Sequence, residues 1–336
     1  GPGYEGWRFS NWQTNRHFNY VSESERDLLT DEMSAEWFEK KIDWIKQNQN
    51  NNQPFFIATG FIRPHTPLVV PKKYYDKFPL NKIKITEKLK DDLIDTKFSE
   101  NLKETRGHKA WRLLSEGYGS EEKGLKIFTQ AYLASINFAD EMVGRVLDAL
   151  DKSSYAKNTI VILFSDHGYL LGQKDHLWKY NLWEETTRVP LIIRQPNNDN
   201  NAGKTVAHPV SLIDIFPTIS DYCSLKGNTL KSEKGKNPNG FSLKPFVEKP
   251  ELETWDGPEE ALTVVASWKS KLPEKQHLAI RTERYRYIKY FDGSEELYDH
   301  QKDSNEWENL AEDKNYKEIV KEMRIRLQKR TDSYID

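Results

Sequence analysis

Four side chains carry chemistry by their type and spacing. Asp166 and His167 stand at the end of the apolar run "TIVILF", inside "FSDHGYLLGQKDHLWK" at positions 164 to 179, and that stretch closes on Lys179. An aspartate offers a hard oxygen to a divalent cation, and a histidine adds a nitrogen ligand or a hydrogen bond. A lysine brought back over the same point by a short loop supplies a compact positive charge for an anion. The fourth residue, His65, sits in "GFIRPHTPL" between Pro64 and Pro67, which fix the backbone around a side chain that needs accurate aim. Plainer accounts exist for each. Asp166 would serve as a turn cap, His167 and His65 as surface histidines, and Lys179 as one of 50 basic residues. Taken together, a proton-transferring histidine, a cation site and an ammonium suit the cleavage of a sulfate or phosphate ester. There the leaving oxygen needs a proton and the tetrahedral anion needs positive charge.

Such groups must be held by ordered elements, and the pattern supplies them. Residues 31–48 carry Met33, Trp37, Ile42, Trp44 and Ile45 at helical spacing, with acidic residues early. "QNQNNNQP" then reads as a solvated loop and "FFIATG" (55–60) as a buried strand. Residues 81–124, rich in Lys, Asp and Glu, read as an insertion with short helices. A helix over 125–150 shows the stripe Phe128, Tyr132, Ile136, Ala139, Val143, Val146 and Leu150. "NTIVILFSD" (158–166) is apolar throughout, as in a parallel sheet covered on both faces, and "RVPLIIRQP" (188–196) is a second such run. "LIDIFPTISDYC" reads as a short helix interrupted at Pro217. From about residue 262, "LTVVASW", "HLAIRTERYRYIKYF" and "EELYD" alternate like half-exposed antiparallel strands, with the turn "DGSE" between two of them. An amphipathic helix ends the chain. The expected organisation is an α/β core over 1–255 and a C-terminal subdomain over 256–336.

Composition narrows the classes. Charged residues make up 30% and aromatics 12% of 336 residues, which excludes a disordered chain. A formal net charge of −2 argues against nucleic acid or an anionic membrane as partner, so anion binding must be local. The single cysteine, Cys223, excludes an intrachain disulfide and is expected as a core thiol. No membrane span is expected, since no run of about 18 apolar residues occurs. "GPGYEGWRFSNW" has no initiator Met and none of the pattern of a secretory signal, which suggests a chain that starts after a cut.

The motifs resemble a known family, the type I, formylglycine-dependent sulfatases of the alkaline phosphatase superfamily, in particular their iduronate-2-sulfatase-like branch. "PFFIATGFIRPHTPLVVPKKYYDKFPL" resembles the family's strand and PH-x-P loop. The block from "AYLASINFADEMVGRVLDALDK" through "SDHGYLLGQKDHLWKYNLWEETTRVPLII" is similar to its centre. "VSLIDIFPTISDYCSLKG" and "IRTERYRYIKYFDGSEELYDHQKDSNEWENL" are similar to later segments. The likeness runs from about residue 54 to 312, with 81–124 poorly covered. It implies an α/β, alkaline-phosphatase-like fold: a mixed, mostly parallel sheet flanked by helices, with a small C-terminal antiparallel sheet plus helix.

It also implies roles. Asp166 and His167 would be Ca²⁺ ligands, with His167 where many relatives have Asn. His65 would bind the sulfate and help with proton transfer, and Lys179 would bind the sulfate and its bridging oxygen. A sulfated saccharide, of the uronate 2-O-sulfate type, is the implied substrate, in a periplasmic, extracellular or lysosomal setting. The family's paired metal-binding Asp residues, its Cys/Ser-x-Pro/Ala-x-Arg sequence that yields formylglycine, and the following Lys-x-x-His are not found here. "CSLKG" at Cys223 lacks both the Pro/Ala and the Arg. The expectation is therefore the larger C-terminal part of an enzyme, inactive alone, with the nucleophile on a tightly held N-terminal fragment. Two other readings use the same residues: a phosphodiesterase or phosphonate hydrolase of the superfamily, and a non-catalytic module that binds sulfated glycans. Lys179 within LG-x4-LWK favours sulfate.

Overall fold

The structure, a computed structural model, describes residues 6–7, 26–48, 53–225, 239–266 and 272–335. The other residues of the opening segment, 49–52 of the loop read after the first helix, and 267–268 of "LTVVASW" lie outside them. In chain order the elements are β1 (Gly6–Trp7), α1 (Thr30–Asn48), β2 (Leu68–Val69), α2 (Lys72–Asp76), α3 (Ser99–Lys103), α4 (Arg106–Tyr118), α5 (Glu121–Asp151), β3 (Val161–Phe164), β4 (Leu170–Leu171), β5 (Leu177–Trp178), α6 (Glu184–Thr187) and β6 (Leu191–Arg194). There follow α7 (Ile215–Tyr222), α8 (Lys244–Glu248), β7 (Ala261–Val265), β8 (His277–Arg281), β9 (Tyr285–Lys289), β10 (Glu295–Asp299) and α9 (Lys317–Ile335). They fall into two compact units. The first holds Gly1–Lys88, Arg106–Thr159 and Leu171–Leu177, and the second holds Leu89–Thr105, Ile160–Leu170 and Trp178–Asp336.

In the first unit, α5 is the central helix, started by Ser120, whose hydroxyl accepts from Lys123 N at 3.3 Å. Phe128 and Leu150 are buried as expected, but between them the buried face is Ala131, Ala134, Phe138 and Met142, and Ile136 is exposed. In α1 the buried face is Ala35, Phe38, Ile42 and Ile45, while Met33, Trp37 and Trp44 are exposed. The faces that bury are those on which α1 and α5 pack against each other. Ala35, Val70, Tyr74, Ala134, Phe138 and Met142 form one cluster, with Tyr74 edge-on to Phe138 at 5.2 Å. Arg145 clamps Glu39 across the two helices with bonds of 2.8 and 2.7 Å. The run 55–60 is not a paired strand among the described residues. Its side chains alternate between partly covered and exposed, and Phe56 is 73% exposed. The alternation is that of a strand, but a ladder needs a partner backbone, and no described segment supplies one.

In the second unit the four-stranded sheet runs β10-β9-β8-β7, antiparallel throughout. Period-2 alternation gives it two apolar faces. Ile280, Tyr287 and Leu297 pack with Val320, Met323 and Leu327 of α9. Ala279, Ile288 and Tyr298 pack with Phe98, Leu170, Leu182 and Trp183. β8, β9 and β10 are therefore covered on both sides instead of half exposed, because the segments around 98, 170 and 183 cover the second face, while β7 stays partly exposed, as at Val264. The apolar run at β3 pairs with β6, antiparallel, with Phe164 opposite Leu191. Pro217 does not interrupt its helix: it lies in the first turn of α7, where no backbone N–H is needed. Cys223 caps the end of α7 and is exposed, so it is not a core thiol. Among the described residues no helix is long and apolar enough to cross a membrane.

Candidate active site

β3 delivers its polar end residues to the edge of the ladder. Beyond Phe164, Ser165 N still reaches Pro190 O at 3.3 Å, and then the chain turns, with the Ser165 hydroxyl donating to His167 O at 3.0 Å. His167 Nδ1 lies 2.7 Å from Gly168 O. A carbonyl only accepts, so the proton sits on Nδ1 and Nε2 presents its lone pair. Lys179 Nζ donates into that lone pair at 2.7 Å. Asp166 Oδ2 stands 3.6 Å from the same nitrogen, on a side chain that is 81% exposed. The Lys179 backbone lies between two non-glycine residues in the left-handed region, Trp178 and Tyr180, each with φ of 73°. Such conformations cost of order 1–3 kcal/mol each and persist only where the surroundings enforce them. The Tyr180 ring centroid lies 5.5 Å from Nζ, a second attractive contact for the ammonium.

Thus Asp166, His167 and Lys179 come together in the second unit, on three residues that the sequence singles out. His65 belongs to the first unit. It is exposed, on a loop that Asp31 ties down: the buried carboxylate accepts from Ile62 N at 2.8 Å and Arg63 N at 2.9 Å. His65 N donates to Ile62 O at 2.8 Å, and Nδ1 lies 2.6 Å from Thr66 O. The ring therefore has the same tautomer as His167, with the Nε2 lone pair outward.

A groove of about 2870 Å³ in the second unit is lined by Asp166, His167 and Lys179, and also by Arg188, Arg194 and Lys204. Nearby, donor atoms of Glu184, His300 and Glu306 lie within 4.8 Å of one another. That group is an ion-pair network, because Arg281 and Arg286 already neutralise its two carboxylates.

Sequence reasoning passed over Asp31, Gly168, Glu184 and Thr186. Only Gly168 gave a signal, as a glycine directly after the Asp-His pair. A Cβ there would lie 2.1 Å from Glu185 O, a close approach that only glycine allows.

The architecture is mixed helix and sheet with a separate four-stranded antiparallel sheet toward the C-terminal end, an alkaline-phosphatase-like fold shared with the solved structures it superposes on. The family model "Sulfatase" matches residues 2–224, and "N-sulphoglucosamine sulphohydrolase, C-terminal" matches 172–333. The chain belongs to the sulfatase family. It is 35% identical over 320 residues to a sulfatase of Formosa agariphila, covering 94% of this chain and 57% of the relative. It is 31% identical over 202 residues to iduronate 2-sulfatase of Mus musculus, covering 59% of this chain and 35% of the relative. Among solved structures, the phosphonate monoester hydrolase of Agrobacterium radiobacter superposes with a TM-score of 0.70 at 23% identity, over 96% of this chain and 63% of that one. The chain spans about half the length of the curated relatives it matches.

Proposed function

We propose that this protein hydrolyses sulfate esters on a sulfated glycan of the uronate 2-O-sulfate type. In this reading the chain is the C-terminal part of the enzyme, with its core over 1–255 and a subdomain over 256–336. The observation that carries the reading is the Lys179 ammonium held 2.7 Å from His167, beside the exposed Asp166 carboxylate. Sulfate ester hydrolysis breaks the bond between sulfur and the ester oxygen. The alcohol oxygen leaves with a proton, and the sulfur gains an oxygen that comes ultimately from water. Lys179 offsets the charge that develops on the sulfate and the leaving oxygen. The proton-transfer role expected of His65 requires its Nε2 lone pair to take up a proton first.

Asp166 would give a Ca²⁺ ion one hard oxygen, and His167 would give its Nε2 lone pair once the Lys179 ammonium turns from it toward the sulfate, two of the six to eight ligands that such an ion takes. Bound there, calcium would add positive charge at the sulfate, while a formylglycine carried outside this chain would supply the nucleophile.

The fold is shared with a phosphonate monoester hydrolase and does not choose between esters. The sequence relation favours sulfate, and the iduronate 2-sulfatase relative favours the 2-O-sulfated uronate. The test is release of sulfate by the intact protein from a disaccharide ending in 2-O-sulfated uronate, beside a 6-O-sulfated glucosamine and a phosphonate monoester. Sulfate from the uronate is expected. Turnover of the phosphonate alone would replace the reading with the phosphonate hydrolase, and saccharide binding without turnover would replace it with the binding module.

A further inference from the structure

The short stretch from Leu182 to Thr187 is bonded to the sheet on one side and to the site on the other. On the sheet side the bonds are made by charged and aromatic side chains. Trp183 Nε1 donates to Glu296 at 2.9 Å, and the Tyr290 and Tyr298 hydroxyls donate to the same fully buried carboxylate at 2.7 Å each. Glu184 is paired with Arg281 at 3.0 Å and with Arg286, whose Nη1 donates to Leu182 O at 3.0 Å. Glu306 accepts from Glu184 N at 2.9 Å, and its other oxygen lies 2.7 Å from Arg286 Nε and 2.9 Å from His300 Nε2. Buried ion pairs of this kind add little net stability over apolar side chains of equal volume. Geometry is the better account of them.

On the site side the turn works through its backbone and one hydroxyl. Glu185 O accepts from Tyr169 N at 2.7 Å, and Thr186 O accepts from Gly168 N at 2.9 Å. Gly168 is the residue whose carbonyl fixes the His167 tautomer. The Thr186 hydroxyl lies 2.7 Å from Asn181 Oδ1, two residues beyond Lys179. One turn therefore grips the chain just after His167 and just after Lys179.

We infer that the 182–187 turn is the positioning element of the site, and that Glu184 and Thr186 are positioning residues that set the His167–Lys179 pair through Gly168, Tyr169 and Asn181. Glu184 locks the turn to β8 and β9. Thr186, 4% exposed, ties the turn to the loop that carries Lys179.

The experiment compares Thr186→Val, Thr186→Ser and Glu184→Gln with wild type in the intact protein. Hydrogen exchange is read on peptides covering 166–171, with α5 and α9 as controls, and turnover of a sulfate ester is read beside it. Thr186→Val is expected to speed exchange at Gly168 and Tyr169 about tenfold while the control helices stay at wild-type rates; Glu184→Gln is expected to speed it there too, with α5 as its control because that variant also weakens the unit that holds α9. The same variants are expected to lower kcat about tenfold with KM within about threefold, the pattern of lost transition-state geometry. Thr186→Ser, which keeps the hydroxyl, should match wild type in both. Wild-type exchange at 168–169 in Thr186→Val would overturn the inference, and so would equal acceleration in α5 and α9, which marks a merely structural role. Should Glu184→Gln fail to fold, the two Thr186 variants decide alone. The kinetic arm rests on the proposed sulfatase activity and the exchange arm does not. A wild type that cleaves no sulfate ester would count against that activity, and the exchange result would still decide the positioning role.

Discussion

Protonating or neutralising Glu184 should weaken the second unit by an amount that depends on pH in a defined direction. Glu184 is 9% exposed. Burial alone would raise its pKa, but Arg286 and Arg281 outweigh burial and hold it at about 2, against 4.5 for an unperturbed glutamate. A depression of that size corresponds to roughly 3 kcal/mol of folding free energy. The folded value lies below the unfolded one, so the contribution is complete above about pH 4.5 and is lost as pH falls toward 2. Glu184→Gln keeps the shape and a carbonyl acceptor and removes the charge. Urea denaturation at about pH 7 should show the variant roughly 3 kcal/mol less stable, and the gap should shrink to about half by pH 3. A gap that is constant across that range, or under about 1 kcal/mol at neutral pH, would show that the two arginines do not hold Glu184 as argued.

Three further outcomes test the site itself. Asp166→Ala should abolish calcium binding measured by calorimetry, and with it activity; unchanged metal content and turnover would remove Asp166 from the ligand set. His65→Ala and Lys179→Ala should each lower kcat by about 10²-fold, with little change in thermal stability, because His65 is exposed and Lys179 only half buried. Near-normal turnover in either would release that residue from its role. Tyr180→Gly should relieve the left-handed backbone beside Lys179 while loosening its aim, so stability should be kept or gained as kcat falls; a variant with wild-type kcat would separate the strained backbone from function.

Local chemistry was readable in the sequence wherever the cause is local. The apolar run before Asp166 is long enough to form β3, and a separation of 12 positions between His167 and Lys179 suffices to bring ammonium back to imidazole. The C-terminal alternation likewise resolved into four antiparallel strands and α9. What depended on distant residues was not readable. The helical period marks a helix over 125–150 without fixing which face is buried: Phe138 is buried and Ile136 exposed, because the Phe138 face meets Ala35 and Tyr74. The strand-like alternation at 55–60 does not reveal whether a partner backbone is near. Glu184 looked like one of 52 acidic residues. Its weight comes from Arg286, 102 positions later, and from Glu306, 122 positions later, on β9 and the loop beyond β10. Nothing in "NLWEETTRVP" encodes those partners. The same separation explains why the positioning turn is more exposed to mutation than the residues it aims. A substitution in the C-terminal sheet reaches His167 through Glu184 and Gly168 without altering any residue of the site, so sequence motifs at 166–167 and 179 can stay intact while their geometry is lost.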